Sequence, residues 1–373
     1  MKKILLTILI LSMIFTTACW DMIELEDRIL PYSVGIDIGA AESDKPLFFC
    51  FSYPNINAIG KSKTQDQLVY LINVNANSIF EATNEISSRI HNPVHLKHLN
   101  VVVMSEEVFT NDTYVREVID GIQRDFVMNK MLNLLITRGT AHELLTKKLE
   151  SKQQETIEGL LTTLLMNEQE STKFTPIKVM DFINDMDNRI VSIVPLATPN
   201  GEIEIAGGGL FKDYKFLGYI GENDNRNILI LNDKLTTADL DVDFNGIDLS
   251  ILLTKFNTKK RLVNKEELKI QYDINIDGQI QQHIIDESTQ ITSSGIIEDM
   301  EDTINRYIES ELSKTIETLQ KEHNADVLGL LEYLNRFHPK IYKEVEKDWD
   351  TIFPDLDIDV NVNITIRRRG LST

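Results

Sequence analysis

The first half of the chain alternates short apolar runs with amphipathic segments. The runs are rich in β-branched and aromatic residues and are bounded by Gly, Pro or Asn, as is typical of strands, whereas the amphipathic segments repeat apolar residues at helical spacing. The predicted strands are 34–38, 47–53, 68–74, 101–104 and 131–136, and the predicted helices are 78–90, 114–124 and 141–149. Because strands alternate with helices, this half predicts mixed α/β layers.

Two features refine the helices of this half. Ser78-Ile79-Phe80-Glu81 is a capping box, which places the start of the first helix at Ser78. Residues 151–190 are predicted to be mostly helical, with leucines at 160, 161, 164 and 165 as an apolar face and Pro176 at the start of a further helix.

The second half carries a hairpin, further strands and a long helix. Residues 209–218 hold two short apolar runs around a polar turn, which predicts a hairpin. Apolar residues keep one face over 296–319, which predicts a long amphipathic helix across a sheet. Residues 356–366 alternate apolar and polar without a break, as a half-buried strand does. The other predicted strands are 228–231, 250–256 and 268–276, and the other predicted helices are 325–335 and 339–349.

The strongest punctuation lies at 195–209, where prolines and glycines cluster. We predict the main boundary there and interpret Gly207-Gly208-Gly209 as a flexible joint, since the triplet lacks the spacing of a phosphate-binding loop. The predicted parts are a signal peptide at 1–18, an N-terminal α/β region of one or two domains at 19–200, and a C-terminal α/β domain at 201–373. The predicted fold class is α+β or mixed α/β, with mixed sheets packed with helices in two or three domains.

Residues 1–18 have the three parts of a secretory signal. Lys2 and Lys3 form a positive start, 4–15 is an apolar run too short to span a bilayer, and small residues lead to Cys19. One processing route attaches a diacylglyceryl group to the Cys19 sulfur, which anchors the chain on a membrane. In the other route an ordinary signal peptidase cuts after Ala18 and leaves a free thiol. Thr16 stands where a lipobox usually has Leu, so the residues alone leave both routes open.

Charge and cysteine content narrow the function classes. The formal net charge of -20 predicts repulsion from nucleic acid and from anionic headgroups. Nucleic acid is therefore not an expected partner, and membrane attachment needs a lipid or a protein. Cys19 and Cys50 are the two cysteines, so once Cys19 is modified no intramolecular disulfide can form. Cys50 lies in an apolar run and is predicted to be a small buried hydrophobe.

The histidines give a weak signal for a metal site. His91, His95 and His98 surround Pro93, which breaks the helix that would align them. No carboxylate or thiolate joins them at ligand spacing. We therefore favour a turn followed by a strand-leading histidine.

Two charged clusters have equally simple interpretations. The aspartates at 239, 241 and 243 fail the EF-hand spacing and fit the polar face of an edge strand. Arg367-Arg368-Arg369 is a contact for lipid headgroups or an acidic partner, or simply a solvated strand end. The sequence contains neither G-x-S-x-G nor H-E-x-x-H, so we predict no catalytic residue, no metal site, no cofactor and no enzyme activity.

Several blocks of the sequence resemble one known family, and they keep one order along nearly the whole chain. The blocks are Cys19-Trp20-Asp21-Met22-Ile23-Glu24-Leu25, Val34-Gly35-Ile36-Asp37, residues 95–103, residues 119–125, residues 209–213 with Leu217-Gly218, Ala325-Asp326-Val327-Leu328-Gly329, Pro339-Lys340, Trp349-Asp350, Phe353, the alternating strand, and Arg367-Arg368-Arg369-Gly370. They resemble the C-subunit family of bacterial spore germinant receptors, the Ger(x)C lipoproteins.

The resemblance implies a spore germination lipoprotein with a signal peptide, with Cys19 carrying palmitate or similar acyl chains, and with three mixed α/β domains. Such a subunit lies on the outer face of the inner spore membrane and works in a complex with two polytopic membrane subunits, A and B. These complexes sense nutrient germinants and trigger release of ions and dipicolinate. We therefore expect a non-catalytic interaction subunit that is anchored through Cys19 and has no cofactor.

The alternative is a lipid-anchored solute-binding protein, in which a cleft between the two halves near Gly207 captures the germinant directly. The sequence leaves open whether a small-molecule germinant touches this subunit. A secreted hydrolase is disfavoured because no nucleophile and base can be paired by motif.

Overall fold

The computed structural model describes residues 29–55, 69–90, 94–147, 157–166, 172–199, 202–244, 246–283 and 294–367, so the predicted signal peptide and Cys19 lie outside the described residues. The strands are β1 (Ser33–Ile38), β2 (Leu47–Pro54), β3 (Val69–Ala76), β4 (Val101–Ser105), β5 (Asn133–Thr137), β6 (Ser192–Thr198), β7 (Glu204–Lys212), β8 (Lys215–Ile220), β9 (Thr237–Phe244), β10 (Ile247–Asn264), β11 (Lys269–His283) and β12 (Ile358–Ile366). The helices are α1 (Ile79–Arg89), α2 (Glu106–Phe109), α3 (Asp112–Arg124), α4 (Ala141–Thr146), α5 (Ile157–Met166), α6 (Val179–Asp187), α7 (Glu222–Leu231), α8 (Ser294–Glu317), α9 (Leu330–Phe337), α10 (Pro339–Val345) and α11 (Trp349–Ile352).

The first sheet has eight strands in the order β3-β2-β1-β4-β5-β6-β7-β8. Its centre, β1, β4, β5 and β6, is parallel, and antiparallel strands extend it on both sides. Helices α1, α3 and α6 cover one face, and α4 and α5 cover the other. The unbroken apolar run of β4 follows from this arrangement, because Val102 and Met104 enter one core while Val101 and Val103 enter the other.

The second sheet has four strands in the order β12-β11-β10-β9. Helix α8 crosses it and buries one apolar face, including Met300, Ile304 and Leu312, in its core. This core also contains Leu210 and Ile220 from β7 and β8. The mixed sheets and the long C-terminal helix confirm the predicted fold class.

Side chains of α8 also protect the edge of this sheet that β12 forms. Residues four apart on the helix accept hydrogen bonds from alternate backbone N–H groups of β12, which would otherwise be open to another strand. The acceptors and donors are Glu301 with Ile366 (2.7 Å), Asn305 with Ile364 (2.8 Å) and Glu309 with Val362 (2.9 Å). The helix therefore contributes both apolar packing and edge capping.

Several predicted elements differ from the structure. The helix predicted at 339–349 is two helices, α10 and α11, and the strand predicted from 131 begins at Asn133. Residues 228–231 are the end of helix α7, because the apolar run is buried as a helix end against the second core, and periodicity alone does not separate this from a short strand. Helix α6 begins at Val179 instead of Pro176, since Lys178 is still extended and forms a bridge with Asn133. Helix α9 begins at Leu330, after Gly329 at positive φ.

The prediction of a flexible joint at 207–209 is wrong, because all three glycines are buried in β7. A Cβ on Gly207 would stand 2.2 Å from the Ile220 oxygen, and one on Gly208 would stand 2.7 Å from the Val194 oxygen. The glycines thus allow close backbone approach within a sheet. The first sheet continues through β8, so the division predicted at 200/201, which stays a prediction, falls between two of its strands.

The start of α1 corrects one detail of the predicted capping box. The Ser78 hydroxyl accepts from the Glu81 backbone N–H at 3.2 Å, as a capping residue does. The Glu81 carboxylate, however, accepts from the backbone N–H of Asn77 at 2.8 Å instead of that of Ser78. It also pairs with Lys45 at 2.8 Å. The Lys45 ammonium, followed by the Asn77 donors, lowers the pKa of Glu81 to about 2.

We expect an NMR titration to give Glu81 a pKa of about 2, against its ordinary 4.5. Because the folded-state pKa is depressed, the stabilisation linked to this carboxylate is fully present above pH 4.5 and is lost as the pH falls toward 2. Glu81→Gln should remove that part of the acid dependence of unfolding. Glu107→Gln, on an exposed position of α2, is the matched control. Unchanged acid dependence in Glu81→Gln would contradict this assignment.

Candidate interaction surface

The histidines that the sequence singled out do not converge in the described part of the chain. His95 precedes a short helical turn, Leu96–His98, that leads into β4, and the exposed His98 is the last residue of this turn. His91 lies outside the described residues. This geometry is the turn and strand-leading histidine favoured above. Among the described residues, no group of three His, Cys, Asp or Glu side chains could hold a metal ion.

The charged clusters lie at sheet edges. The three aspartates at 239, 241 and 243 point outward from β9, which is an edge strand as predicted. Asp241 accepts from the Ser250 hydroxyl at 2.6 Å, and Asp243 accepts from the Gly246 N–H at 3.2 Å. Arg367 pairs with Asp277 at 2.9 Å, while Arg368 and Arg369 lie outside the described residues. The contacts of these side chains support strand edges and turns.

The family block at 34–37 positions α4 on the first sheet. The Asp37 carboxylate accepts from the N–H groups of Ala141 at 2.6 Å and His142 at 2.9 Å, the first two donors of α4. Burial raises the pKa of Asp37. A Cβ on Gly35 would stand 3.0 Å from the Ala141 Cβ, so the glycine lets the helix approach β1. This block therefore serves the fold.

The family blocks at 325–329 and 349–350 form one cluster. The Asp326 carboxylate accepts from the N–H groups of Leu330 and Leu331, both at 2.9 Å, and from the Trp349 indole N–H at 3.1 Å. Burial raises the pKa of Asp326. Asp350 accepts from Lys212 of β7, which ties the cluster to the first sheet. These residues also hold the fold together.

One open groove lies between α1 and α3. Its volume is about 400 Å³, and it is lined by Asn77, Ser78, Phe80, Glu117, Asp120, Gly121, Arg124 and Asp125. Four of these residues come from the family block at 119–125. Phe80 is exposed at its rim, and Arg124 pairs with Asp120 at 2.7 Å in solvent. The groove therefore combines one exposed aromatic ring with charged side chains.

A strongly apolar surface adjoins this groove at residues 125–132, which connect α3 to β5. Phe126 is fully exposed, and Val127 and Met131 are more than half exposed. The loop has a fixed shape, because the Asp125 carboxylate accepts from the N–H groups of Val127 at 2.8 Å and Met128 at 2.9 Å. Exposed aromatic and aliphatic side chains on a structured loop are typical of interaction sites.

The sequence pattern did not identify this loop as a candidate site. The available signal was a group of four large apolar residues between a helix and a strand, in Asp-Phe-Val-Met-Asn-Lys-Met. The sequence does not show which of them point inward, and in the structure Met128 is buried while Phe126 and Met131 are exposed. The exposed side chains of this loop suit binding to another apolar surface.

The described residues around Gly207 are packed where the solute-binding alternative places a cleft. Gly207 is buried, and its backbone lies against the Ile220 oxygen of β8. The strands are thus in direct contact where that alternative places an opening.

Two family models match this chain. The model described as "Spore germination protein N-terminal domain" matches residues 21–199, and the one described as "Spore germination B3/ GerAC like, C-terminal" matches residues 206–370. Two similar proteins come from Bacillus subtilis (strain 168). Spore germination protein YndF is 24% identical and aligns over 98% of this chain and 96% of its own, and spore germination protein KC is 22% identical over 99% and 96%.

The fold is similar to that of a solved structure described as "Crystal Structure of the GerBC protein". The TM-score is 0.59 at 17% sequence identity, and the match covers 91% of this chain and 99% of that chain. The fold thus defines a mixed α/β protein of the GerBC type. The chain belongs to the spore germinant receptor C-subunit family. This membership indicates a role in a receptor complex and association with a membrane, and no described helix is long and apolar enough to cross one.

Proposed function

We propose that this chain is a lipid-anchored, non-catalytic subunit of a nutrient-germinant receptor. It is attached through Cys19 to the outer face of the inner spore membrane and acts there with polytopic A and B subunits. Its body supplies contact surfaces in a complex that senses nutrient germinants and triggers release of ions and dipicolinate.

The observation that carries this proposal is the paired match of both family models, in order, over 21–199 and 206–370. The signal-like segment that ends at Cys19 supports the anchor, because a chain with a formal net charge of -20 is not drawn to anionic headgroups by its own charge. The exposed groove between α1 and α3 supports a contact role. The contacts of Asp37 and Asp326, which serve the fold, fit a subunit that does not perform catalysis.

Cys19→Ala tests the anchor. Without the thiol no acyl chain can be attached, so we expect the protein to be lost from the inner-membrane fraction of spores and nutrient germination to be lost with it. Cys50→Ala, at the other cysteine, should leave both unchanged because Cys50 is buried in β2. Membrane fractionation and the fall in spore optical density after nutrient addition measure the two effects. Retention of Cys19→Ala in the membrane with normal germination would overturn the proposal.

The complex itself can be tested in the same spores. Detergent-solubilised inner membrane, captured through a tag on this chain, should yield two polytopic proteins together with it. Capture of this chain without them would contradict the proposed assembly.

A further inference from the structure

The loop at residues 125–132 exposes apolar side chains although the chain as a whole is strongly acidic. Phe126 has a relative exposure of 104%, Met131 of 57% and Val127 of 55%. Met180, 39% exposed, continues this surface, since its N–H donates to the Lys130 oxygen at 3.1 Å. Exposing several large apolar side chains to water is unfavourable, so contact with an apolar partner or medium would explain this surface.

Both charged groups of the loop turn inward to the backbone. The Asp125 carboxylate accepts from the two N–H groups that follow it, and the Lys130 ammonium donates to the carbonyl oxygens of Ile122 and Asp125. The Asn129 side chain accepts from the Met131 N–H at 3.0 Å. Burial lowers the pKa of Lys130. The loop therefore presents apolar side chains outward, while its carboxylate, its ammonium group and the Asn129 side-chain oxygen bind the loop's own backbone, which lowers the cost of moving the loop into an apolar medium.

The loop lies along the edge of the first sheet that is formed by the N-terminal ends of its parallel strands. The described chain begins at the same edge. Strands β1, β4 and β5 are parallel and start level with one another at Ser33, Val101 and Asn133. The segment before β1 and the loop before β5 therefore emerge from the same edge. Tyr32, 37% exposed, lies there too, because its carbonyl accepts from the Asn100 N–H at 2.8 Å.

Chain length brings this edge within reach of the proposed anchor. Ile29, the first described residue, is ten residues after Cys19. A fully extended segment of that length spans at most about 35 Å. An acyl group on Cys19 would thus keep this edge of the sheet within about 35 Å of the bilayer surface.

We propose that the 125–132 loop is a membrane-docking site, in which Phe126, Val127 and Met131 insert into the interfacial region of the bilayer beside the lipid anchor. This inference rests on the anchoring of Cys19 in the proposed function. Lipid is favoured over a protein partner because the loop lies at the edge from which the anchor segment emerges and carries no outward charge to pair. Docking orients the acidic body relative to the membrane, which a tether alone does not do.

A nitroxide label at Val127→Cys tests the insertion. The full chain with acylated Cys19 is reconstituted in phosphatidylcholine vesicles, where headgroup charge does not contribute, and Cys50 is shielded from labelling by burial. We expect the label to collide more often with oxygen than with a water-soluble nickel complex. A label at Phe337→Cys, an exposed aromatic position on α9, should show the reverse order. Adding Phe126→Asp should return the label at residue 127 to water without changing the circular dichroism.

The outcomes separate this inference from the anchor on which it rests. If mass spectrometry shows acylated Cys19 but the label at residue 127 lies in water, the docking site is overturned and the anchor stands. If Cys19 carries no acyl group and the chain does not bind the vesicles, the anchor fails and the docking inference falls with it. A label that is shielded in spore inner membranes but exposed in pure lipid would assign the loop to a protein partner and overturn the lipid assignment.

Discussion

Gly207→Ala is expected to lower the free energy of unfolding by about 4 kcal/mol. Gly207 has a φ of 60° and is buried between β6 and β8. An alanine Cβ would stand 2.2 Å from the Ile220 oxygen, a backbone atom that can move only by separating β7 from β8. The cost therefore combines a left-handed conformation with overpacking inside a sheet. Chemical denaturation followed by circular dichroism measures it.

Gly246→Ala separates the two contributions. Gly246 has a similar positive φ of 82°, but no heavy atom lies within 4 Å of the position of its added Cβ. Alanine there should cost only about 1 kcal/mol, from the backbone conformation alone. Equal, small effects at both glycines would contradict the packed strand and would restore the interpretation of 207–209 as a flexible joint.

Trp349→Ala is expected to lower the free energy of unfolding by a similar amount, about 4 kcal/mol. The indole is 4% exposed in the second core, and its ring lies 6.0 Å from that of Phe353, centroid to centroid. Truncation leaves a cavity and also removes the indole N–H that the Asp326 carboxylate accepts. Because Asp326 also holds the first turn of α9, the helices at 330–352 should lose protection from amide hydrogen exchange.

Two further substitutions test this account of Trp349. Trp349→Phe keeps most of the ring but removes the donor, so it should cost about 1.5 kcal/mol. Phe337→Ala removes an aromatic ring from an exposed position of the neighbouring helix α9 and should change stability by less than about 0.5 kcal/mol. If Trp349→Phe lowered the free energy of unfolding as much as Trp349→Ala, the hydrogen bond to Asp326, and not the packing of the ring, would be the main contribution of Trp349 to stability.

Most elements of the fold could be predicted because their local pattern and tertiary environment agree. The strand at 358–366 alternates buried and exposed residues as its sequence does, and α8 buries the face that its spacing predicted. The strand prediction for 228–231 was wrong because four apolar residues fit a buried helix end as well as a strand. The prediction of a flexible joint at the glycine triplet was wrong because glycine, which makes a chain flexible, also lets strands approach closely.

The family could be identified from the sequence, but the candidate interaction surface could not. Blocks such as Val34-Gly35-Ile36-Asp37 and Ala325-Asp326 resemble the family, yet their side chains cap helices and do not identify a contact surface. The loop with Phe126 and Met131 became visible only when its exposure was known. Exposure depends on what the remainder of the chain covers, which local spacing does not encode.

The sequence by itself determined the strongly acidic character, the signal-like segment before Cys19, the alternation of strands with helices and the resemblance to germinant receptor C subunits. These properties are readable because charge, hydrophobic periodicity and ordered motifs are local to the chain. The tertiary structure alone decided that β7 and β8 complete the first sheet, that α8 caps the edge of β12, and that the 125–132 loop lies beside the start of β1. Each of these depends on contacts between residues far apart in sequence, whose partners are chosen by the packing of the whole chain.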